Sequence, residues 1–335
     1  MSPHDALECL HRTSDFFDVR HNTLDDSGNT ESPPTGNIPP CKLQLPSRRG
    51  PIPLRYAPLP YKPSTYKQWT SVFIRSVQEA VKHRSDFADV ERYCLFIGHG
   101  RSGHSLIGSL LNAHPEMVVS HELDALKYVR YGFRRSQLFG LILAREDVFA
   151  SEGRLWMGYE YSVPNQSQGS FSRLHVIGDK KGAGTTRWLR EYPWLLERLR
   201  KVVRVPIRVI HVTRNPFDNI ARMNLRKQDN APAQTIERYA RTYEGVASIR
   251  EHLAADEILD IRYEDFLDEP AESLSSMCRF LGVVASPDYL NGCVSIVHPP
   301  SERARDLVEW SVAERDRVSR LIAQHGSLKS YSFDS

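Results

Sequence analysis

Residues 96–111, FIGHGRSGHSLIGSLL, constrain the fold of this chain more than any other stretch. The segment begins in an apolar run, crosses a loop of glycine and serine, and continues with apolar side chains at helical spacing, namely Leu106, Ile107, Leu110 and Leu111. In a strand, loop and helix of this kind, backbone N–H groups and the helix N-terminus hold an anion. The segment therefore predicts an anion-binding loop after the first strand of an α/β domain.

The loop nearly matches the triphosphate-binding pattern G-x-x-x-x-G-K-[ST], because Gly98, Gly103 and Ser105 are in place. His104 stands where that pattern has its lysine. Histidine is shorter than lysine and largely neutral near pH 7, so it does not replace a cation that contacts the β- and γ-phosphates. The pattern disfavours a kinase or triphosphatase; a tight turn that needs glycine only for its backbone is the other alternative.

The rest of the domain alternates between strand and helix patterns. The β-rich runs are YCLFIG, MVVS, LHVIG, IRVIHVT and EILDIRY, and several are apolar without alternation. Such runs are typical of parallel strands covered on both faces. Between them, one apolar stripe lies within residues 188–199, and AESLSSMCRFLGV predicts a helix that ends at Gly282. The fold class predicted is α/β: a P-loop-type, doubly wound parallel sheet flanked by helices.

The N-terminal part differs in composition from the rest. Ten prolines lie between Pro33 and Pro63, and polar residues fill much of the remainder. A segment with so little apolar surface does not offset the entropy of ordering. We therefore predict a disordered proline-rich arm over residues 1–65 and one domain over residues 66–335, which an amphipathic helix around Trp69 opens.

Bulk properties exclude several classes. The 44 basic and 41 acidic residues are too balanced to indicate a nucleic-acid binder. The five cysteines are scattered and form no C-x-x-C pair, which disfavours a zinc site or a disulfide scaffold. No apolar run approaches the roughly 20 residues of a transmembrane helix, and the N-terminus has no secretory signal pattern. A cytoplasmic location is predicted, with the Golgi left open if the N-terminus is incomplete.

Residues 100–122, GRSGHSLIGSLLNAHPEMVVSHE, resemble the loop segment of sulfotransferases, especially of the protein-tyrosine sulfotransferase-like group. His104 replaces the first threonine of that motif. The resemblance implies that the donor is 3′-phosphoadenosine-5′-phosphosulfate, which has no γ-phosphate and needs no metal. It also implies that the loop holds the 5′-phosphate through Arg101, Ser102, Gly103, His104 and Ser105.

Two further segments resemble the same family. The strand IRVIHVT runs into Arg214-Asn215-Pro216, like the family's 3′-phosphate element. A guanidinium offers phosphate a planar fork, so Arg214 is the candidate ligand, with a surface arginine at a turn as the alternative. Arg222 stands where the family usually has a serine and is a second candidate. The segment beginning YEDF implies that Tyr263 borders the adenine nucleotide; an ordinary aromatic at a strand end is the alternative.

The catalytic candidates also come from the resemblance. In the tyrosine-protein branch the base is a glutamate, and its position counted from Arg101 corresponds to Glu122. This residue follows the run MVVS, so it lies at the carboxyl edge of the sheet, where open α/β folds bind ligands. His121 is the alternative base. The strand before GDKK implies that Lys180 stabilises the leaving oxygen, with Lys181 as the alternate and a solvated lysine pair as the plain alternative.

The sequence therefore predicts an enzyme that moves a sulfuryl group from this donor to a hydroxyl or amine. A catalytically inactive nucleotide-binding protein on the same fold is the alternative, because His104 and Arg222 depart from the family pattern. The acceptor class stays open between a carbohydrate, a phenol, a lipid and a peptide tyrosine. Residues 130–140 and 159–173 are the candidate acceptor loops, and a homodimer is neither required nor excluded.

Overall fold

A computed structural model describes residues 63–227, 232–300 and 302–335 of the chain. The predicted arm over residues 1–65 lies almost entirely outside these ranges, so its disorder and the domain boundary stay predictions. Within the described part, the Thr65 side chain accepts a hydrogen bond from the backbone N–H of Gln68 and caps the first helix. That helix is the one predicted around Trp69.

The elements alternate along the chain as the apolar pattern predicts. The strands are β1 (Arg92–Gly98), β2 (Met117–His121), β3 (Leu155–Trp156), β4 (Tyr159–Glu160), β5 (Val176–Lys180), β6 (Ile207–Thr213) and β7 (Ile258–Arg262). The α-helices are α1 (Tyr66–Lys82), α2 (His104–Asn112), α3 (Ala125–Arg130), α4 (Arg135–Ser151), α5 (Gly182–Glu191), α6 (Trp194–Val203), α7 (Pro216–Lys227), α8 (Pro232–Arg250), α9 (Tyr263–Asp268), α10 (Pro270–Leu281), α11 (Pro287–Val294) and α12 (Val312–Gln324).

Five of the strands form one parallel sheet in the order β2-β5-β1-β6-β7, and β3 and β4 form a separate antiparallel hairpin. From β1 the chain passes to the edge strand β2, returns to β5 between β2 and β1, and then crosses to the other side of β1 with β6. This reversal is the switch point at which open α/β sheets bind ligands beyond the carboxyl ends of their strands. The predicted fold class is confirmed, and the sheet order places the ends of β1, β2, β5, β6 and β7 along one edge.

Strand β1 shows why its sequence is apolar without alternation. Tyr93, Leu95 and Ile97 lie in the core on one face of the sheet, whereas Cys94 and Phe96 lie in the core on the other. Both faces are therefore covered by helices, and every position needs an apolar side chain. Strand β1 ends at Gly98, directly before the loop that is predicted to bind an anion.

Two local predictions were wrong. The stripe over residues 188–199 forms two helices, α5 and α6, because Pro193 restricts the backbone of Tyr192 and the chain turns between them. The run LHVIG begins its strand two residues later than predicted, so Lys180 is the last residue of β5. Among the helices of the described residues, none combines the length and apolar character that crossing a membrane requires.

Candidate active site

The loop between β1 and α2 is built by residues with positive φ. Gly98, Arg101 and Gly103 have φ angles of 122°, 70° and 99°. Gly103 is the N-cap residue of α2, and among the described residues no side chain caps that end. A Cβ on Gly103 would lie 2.2 Å from the ring of Tyr263. The helix therefore starts with free N–H groups facing a narrow space beside an aromatic ring, as an anion-binding loop requires.

The side chain of His104 turns away from this space. Its Nε2 donates to the carbonyl oxygen of Ile97 at 3.0 Å, and its ring packs edge-on against Phe96. Gly98 and Gly182 leave room for the ring, since a Cβ on either would lie within 3.3 Å of it. Burial lowers the pKa of His104 to about 4, so the imidazole is neutral at pH 7. The prediction that His104 binds the 5′-phosphate of the sulfuryl donor therefore applies only to its backbone N–H.

We expect His104 to make the protein less stable as the pH falls from about 6.5 toward 4. The folded-state pKa is about 4 and the unfolded one about 6.5, so the unfolded chain binds the proton first in this window. The contribution between pH 7 and pH 5 is about 2 kcal/mol. Urea denaturation at both pH values measures it, and His104→Gln, which keeps a neutral donor, should lose about 2 kcal/mol less than the wild type.

His99 and His121 serve as an internal reference in that experiment. Burial lowers their pKa values to about 3 and about 2, so both make stability fall with pH in the same direction. They are present in the wild type and in His104→Gln, and the variant should therefore keep a reduced slope. Equal pH slopes for the two proteins would contradict a neutral, buried His104.

Directly after β6 lies the segment Arg214-Asn215-Pro216, called the arginine element below. Arg214 connects this segment with the loop between β1 and α2. It is buried, its Nη1 lies 3.5 Å from the carbonyl oxygen of Arg101, and its guanidinium carbon lies 5.0 Å from the centre of the Tyr263 ring. The structure thus brings three of the predicted donor ligands together. Because Tyr263 also covers Gly103, its ring contacts both the loop and the arginine.

Two guanidinium groups in this region have polar atoms without partners. Nε of Arg214 and Nε of Arg222 are buried, and within the described ranges neither has a hydrogen-bond partner. Burial, followed by the charge of Arg222, lowers the pKa of Arg214. Two cations that repel each other and retain unused N–H groups fit an anion, which would supply the missing acceptors.

Side chains that the motif comparison did not single out hold these elements in place. Asn219 on α7 donates to the hydroxyl of Ser102 at 2.7 Å and so ties the arginine element to the loop. Glu264 accepts from the backbone N–H of Asn215 at 2.9 Å and from the hydroxyl of Tyr331 at 2.8 Å. Glu264 therefore links the start of the arginine element to the C-terminal segment. The signal for Asn219 was its position one helical turn after Asn215.

Glu122 lies between two lysines at the edge of the sheet. Nζ of Lys180 is 3.1 Å from one carboxylate oxygen, and Nζ of Lys181 is 2.7 Å from the other. Burial opposes the charged form, but the two ammonium groups outweigh it and hold the pKa of Glu122 well below its usual range. Glu122 is therefore a carboxylate held in its charged form by two ion pairs.

The structure separates the two candidate lysines. Lys180 also donates to the hydroxyl of Ser105 at 3.0 Å, so it contacts the anion-binding loop. A Cβ on Gly108 would lie 2.8 Å from the Lys180 side chain, which crosses the first turns of α2. Burial lowers the pKa of Lys180. Of the two residues, Lys180 is therefore the one that contacts both the loop and Glu122.

His121, the alternative base, is enclosed by aromatic rings. Its ring stacks on Phe149 with centroids 4.1 Å apart and meets Trp156 edge-on at 4.9 Å. Burial, followed by the charge of Lys180, lowers the pKa of His121 to about 2. Its Nε2 is buried, and no described residue is its partner. This enclosure favours Glu122 over His121 as the group that meets an acceptor.

The two candidate acceptor segments differ in their contacts. In residues 130–140, Arg135 donates hydrogen bonds to the backbone carbonyls of Val203 and Phe87, so its guanidinium joins parts of the protein to one another. Residues 159–173 begin in the β3–β4 hairpin and carry Tyr161; burial raises the pKa of its hydroxyl, and Arg101 and Ser105 in the loop oppose this shift. The second segment therefore reaches the loop.

In the described part of the chain, no group of three or more His, Cys, Asp or Glu residues is arranged to hold a metal ion.

The model of the sulfotransferase family matches residues 95–287, which is more than half of the chain. The chain belongs to the sulfotransferase family. The matched region includes the loop, both lysines, Glu122, Arg214 and Tyr263. Membership of this family supports sulfuryl transfer as the general reaction. None of the curated proteins matches the chain.

Several solved structures are similar to this sulfotransferase. The sulfotransferase domain from the curacin biosynthetic pathway is 17% identical, with a TM-score of 0.47, and the match covers 72% of this chain and 99% of that one. The domain from the Synechococcus PCC 7002 olefin synthase is 16% identical, with a TM-score of 0.43 and coverage of 70% and 94%. Mouse sulfotransferase SULT7A1, complexed with PAP, is 13% identical, with a TM-score of 0.43 and coverage of 77% and 96%.

Proposed function

We propose that this sulfotransferase takes its sulfuryl group from 3′-phosphoadenosine-5′-phosphosulfate and passes it to a hydroxyl or amine acceptor. One observation carries the proposal: the anion-binding loop and the arginine element meet at Arg214, which reaches Arg101 while its own buried Nε lacks a partner. Two anion sites beside one aromatic ring suit a nucleotide with phosphates at both its 5′ and 3′ positions.

The residues present fit this donor. The free N–H groups of α2, with Ser105 and Lys180, would hold the 5′ end, and Arg214 and Arg222 would hold the 3′-phosphate. Tyr263 lies between these groups and offers a flat surface to the nucleotide. A triphosphate fits less well, because the loop has His104 in place of a lysine and the His104 side chain turns away from the anion space, toward the carbonyl of Ile97.

The donor supplies an activated sulfuryl group on its 5′-phosphate. Glu122 would accept the proton of the acceptor hydroxyl or amine as the acceptor oxygen or nitrogen bonds to sulfur. The bond between sulfur and the bridging phosphate oxygen breaks, and the electron pair stays on that oxygen. Lys180 would stabilise the developing negative charge there, because its ammonium already contacts Ser105 in the loop. When Lys180 moves toward that charge, Glu122 loses one of its two ion pairs and becomes a better base.

A titration compares adenosine 3′,5′-bisphosphate (PAP), 5′-AMP and ATP with magnesium. We expect PAP to bind most tightly, because only PAP places anions at both sites. Equal or tighter binding of ATP would overturn the assignment of the donor. Binding of PAP without transfer from the labelled donor to any acceptor tested would leave the inactive nucleotide-binding protein as the function.

An acceptor panel completes this experiment. Labelled donor is incubated with a simple phenol, a tyrosine peptide, a glycan and a hydroxylated lipid, and the labelled product is measured for each. Tyr161→Phe removes the hydroxyl whose pKa Arg101 and Ser105 influence but keeps the ring. A change in the preference among acceptors, with unchanged PAP affinity, would support the assignment of residues 159–173 to the acceptor side.

A further inference from the structure

The loop that carries Glu122 has an unusual backbone. Glu122 and Asp124 have φ angles of 58° and 68°, in the left-handed region that non-glycine residues rarely adopt. Strain of this kind persists only where the surroundings enforce it. A specific set of contacts must therefore hold the turn between β2 and α3 in this shape.

Those contacts converge on one buried carboxylate. Asp179 is fully buried in β5 and accepts three hydrogen bonds from the chain around Glu122. The hydroxyl of Ser120 and the backbone N–H of Leu123 donate to Oδ1 at 3.1 and 2.8 Å, and the backbone N–H of Ala125 donates to Oδ2 at 2.9 Å. Two of these donors lie on either side of the strained residues, so the carboxylate holds both ends of the turn.

We infer that Asp179 is a positioning residue, which fixes the turn after β2 so that the Glu122 carboxylate lies between Lys180 and Lys181. The inference rests on Glu122 being the base of the proposed function. Asp179 and Lys180 are consecutive on β5. Asp179 holds the backbone around Glu122, and Lys180 holds the Glu122 carboxylate. A buried aspartate in an apolar strand is costly unless it is fully hydrogen-bonded, and these three donors supply its partners.

Asp179→Asn tests this role, because it preserves shape but replaces one acceptor oxygen with an amide that faces the donating N–H of Ala125. The readout is acetylation of Lys181 by acetic anhydride, relative to the exposed Lys329, in protein without substrate. In the wild type, Glu122 raises the pKa of Lys181 against the effect of burial. If the turn moves, the labelling of Lys181 should rise about tenfold for each pKa unit lost.

The change in charge at residue 179 also acts on Lys181 directly, and a double-variant cycle separates the two effects. In a Glu122→Gln background, Asp179→Asn should add little labelling if it acts through Glu122. An increase as large as in the wild-type background would overturn the inference. Asp260→Asn is the matched control, because Asp260 on β7 pairs with Arg250 at the end of α8, away from this turn, and should leave the labelling of Lys181 unchanged.

Activity gives a second readout. Asp179→Asn should lower kcat with the acceptor that the wild type uses by about 10²-fold, since misplacement of about 1 Å has this effect, and should leave KM for the donor unchanged. If the wild type transfers no sulfate, altered labelling of Lys181 still supports the positioning role while the proposed function fails. If Asp179→Asn does not fold, Ser120→Ala removes one of the three donors, and unchanged labelling there overturns the inference.

Discussion

Replacing Glu122 with glutamine is expected to lower the rate of sulfuryl transfer by about 10²–10⁴-fold, the contribution of a general base. Glutamine keeps the shape of the side chain but does not accept the acceptor's proton. Lys180 and Lys181 then lose the carboxylate that neutralises them. Their charges become more available to the donor, so the affinity for PAP should stay constant or increase.

The measurement combines transfer of label from the donor with calorimetric titration of PAP. Glu79→Gln is the matched control, because Glu79 is a buried glutamate on α1 that pairs with Arg75, away from the strand ends. Transfer within about threefold of the wild type, well below the range for a general base, would remove Glu122 from this role. His121→Asn would then be the next variant. A joint loss of rate and PAP affinity would assign Glu122 to the architecture of the loop.

The sheet could be predicted from the sequence because its strands are buried on both faces. Their apolar runs stand out, and the carboxyl ends of parallel strands share one edge of the sheet, so Glu122, Lys180, Arg214 and Tyr263 could be grouped before any coordinates. The pairing of Lys180 with Ser105 could not be predicted in the same way. Adjacent lysines at a strand end have the same sequence signal, and only the direction of each side chain separates them.

His104 shows a second limit of the sequence. A polar residue in a glycine-rich loop predicts a ligand, but the direction of its side chain depends on space that distant glycines provide. Gly98 and Gly182 leave that space, and the carbonyl of Ile97 supplies the hydrogen-bond partner. Asp179 directly follows the run LHVIG that was predicted as a strand, and only the fold shows that it is buried within β5. Its particular partners depend on the fold of the neighbouring strand.

The second large effect is expected at the 3′-phosphate. Arg214→Ala should weaken PAP binding by about 1.5–3 kcal/mol, the range for hydrogen bonds to charged groups. That range corresponds to about 10–100-fold in Kd. Binding of 5′-AMP, which lacks the 3′-phosphate, should change much less. The Arg214 guanidinium lies over the Tyr263 ring, so contacts within the protein fix part of its geometry.

Thermal and chemical denaturation separate this loss from a general loss of stability. The charge of Arg222, together with burial, lowers the pKa of Arg214, so removing one of the two cations relieves repulsion in the protein without ligand. Arg214→Ala without ligand should therefore be about as stable as the wild type. PAP at about 100 times its wild-type Kd should stabilise the wild type by about 2.7 kcal/mol and the variant by only about 0.4–1.4 kcal/mol.

Two further variants decide what Arg214 contributes. If Arg222 contributes less than Arg214 to binding the 3′-phosphate, Arg222→Ala should weaken PAP binding less than Arg214→Ala does. It should also leave 5′-AMP binding nearly unchanged. Arg262→Ala is the matched control, because Arg262 ends the neighbouring strand and pairs with Asp265. If Arg214→Ala weakens PAP and 5′-AMP equally, the guanidinium supports the loop through the carbonyl of Arg101 and does not bind the 3′-phosphate.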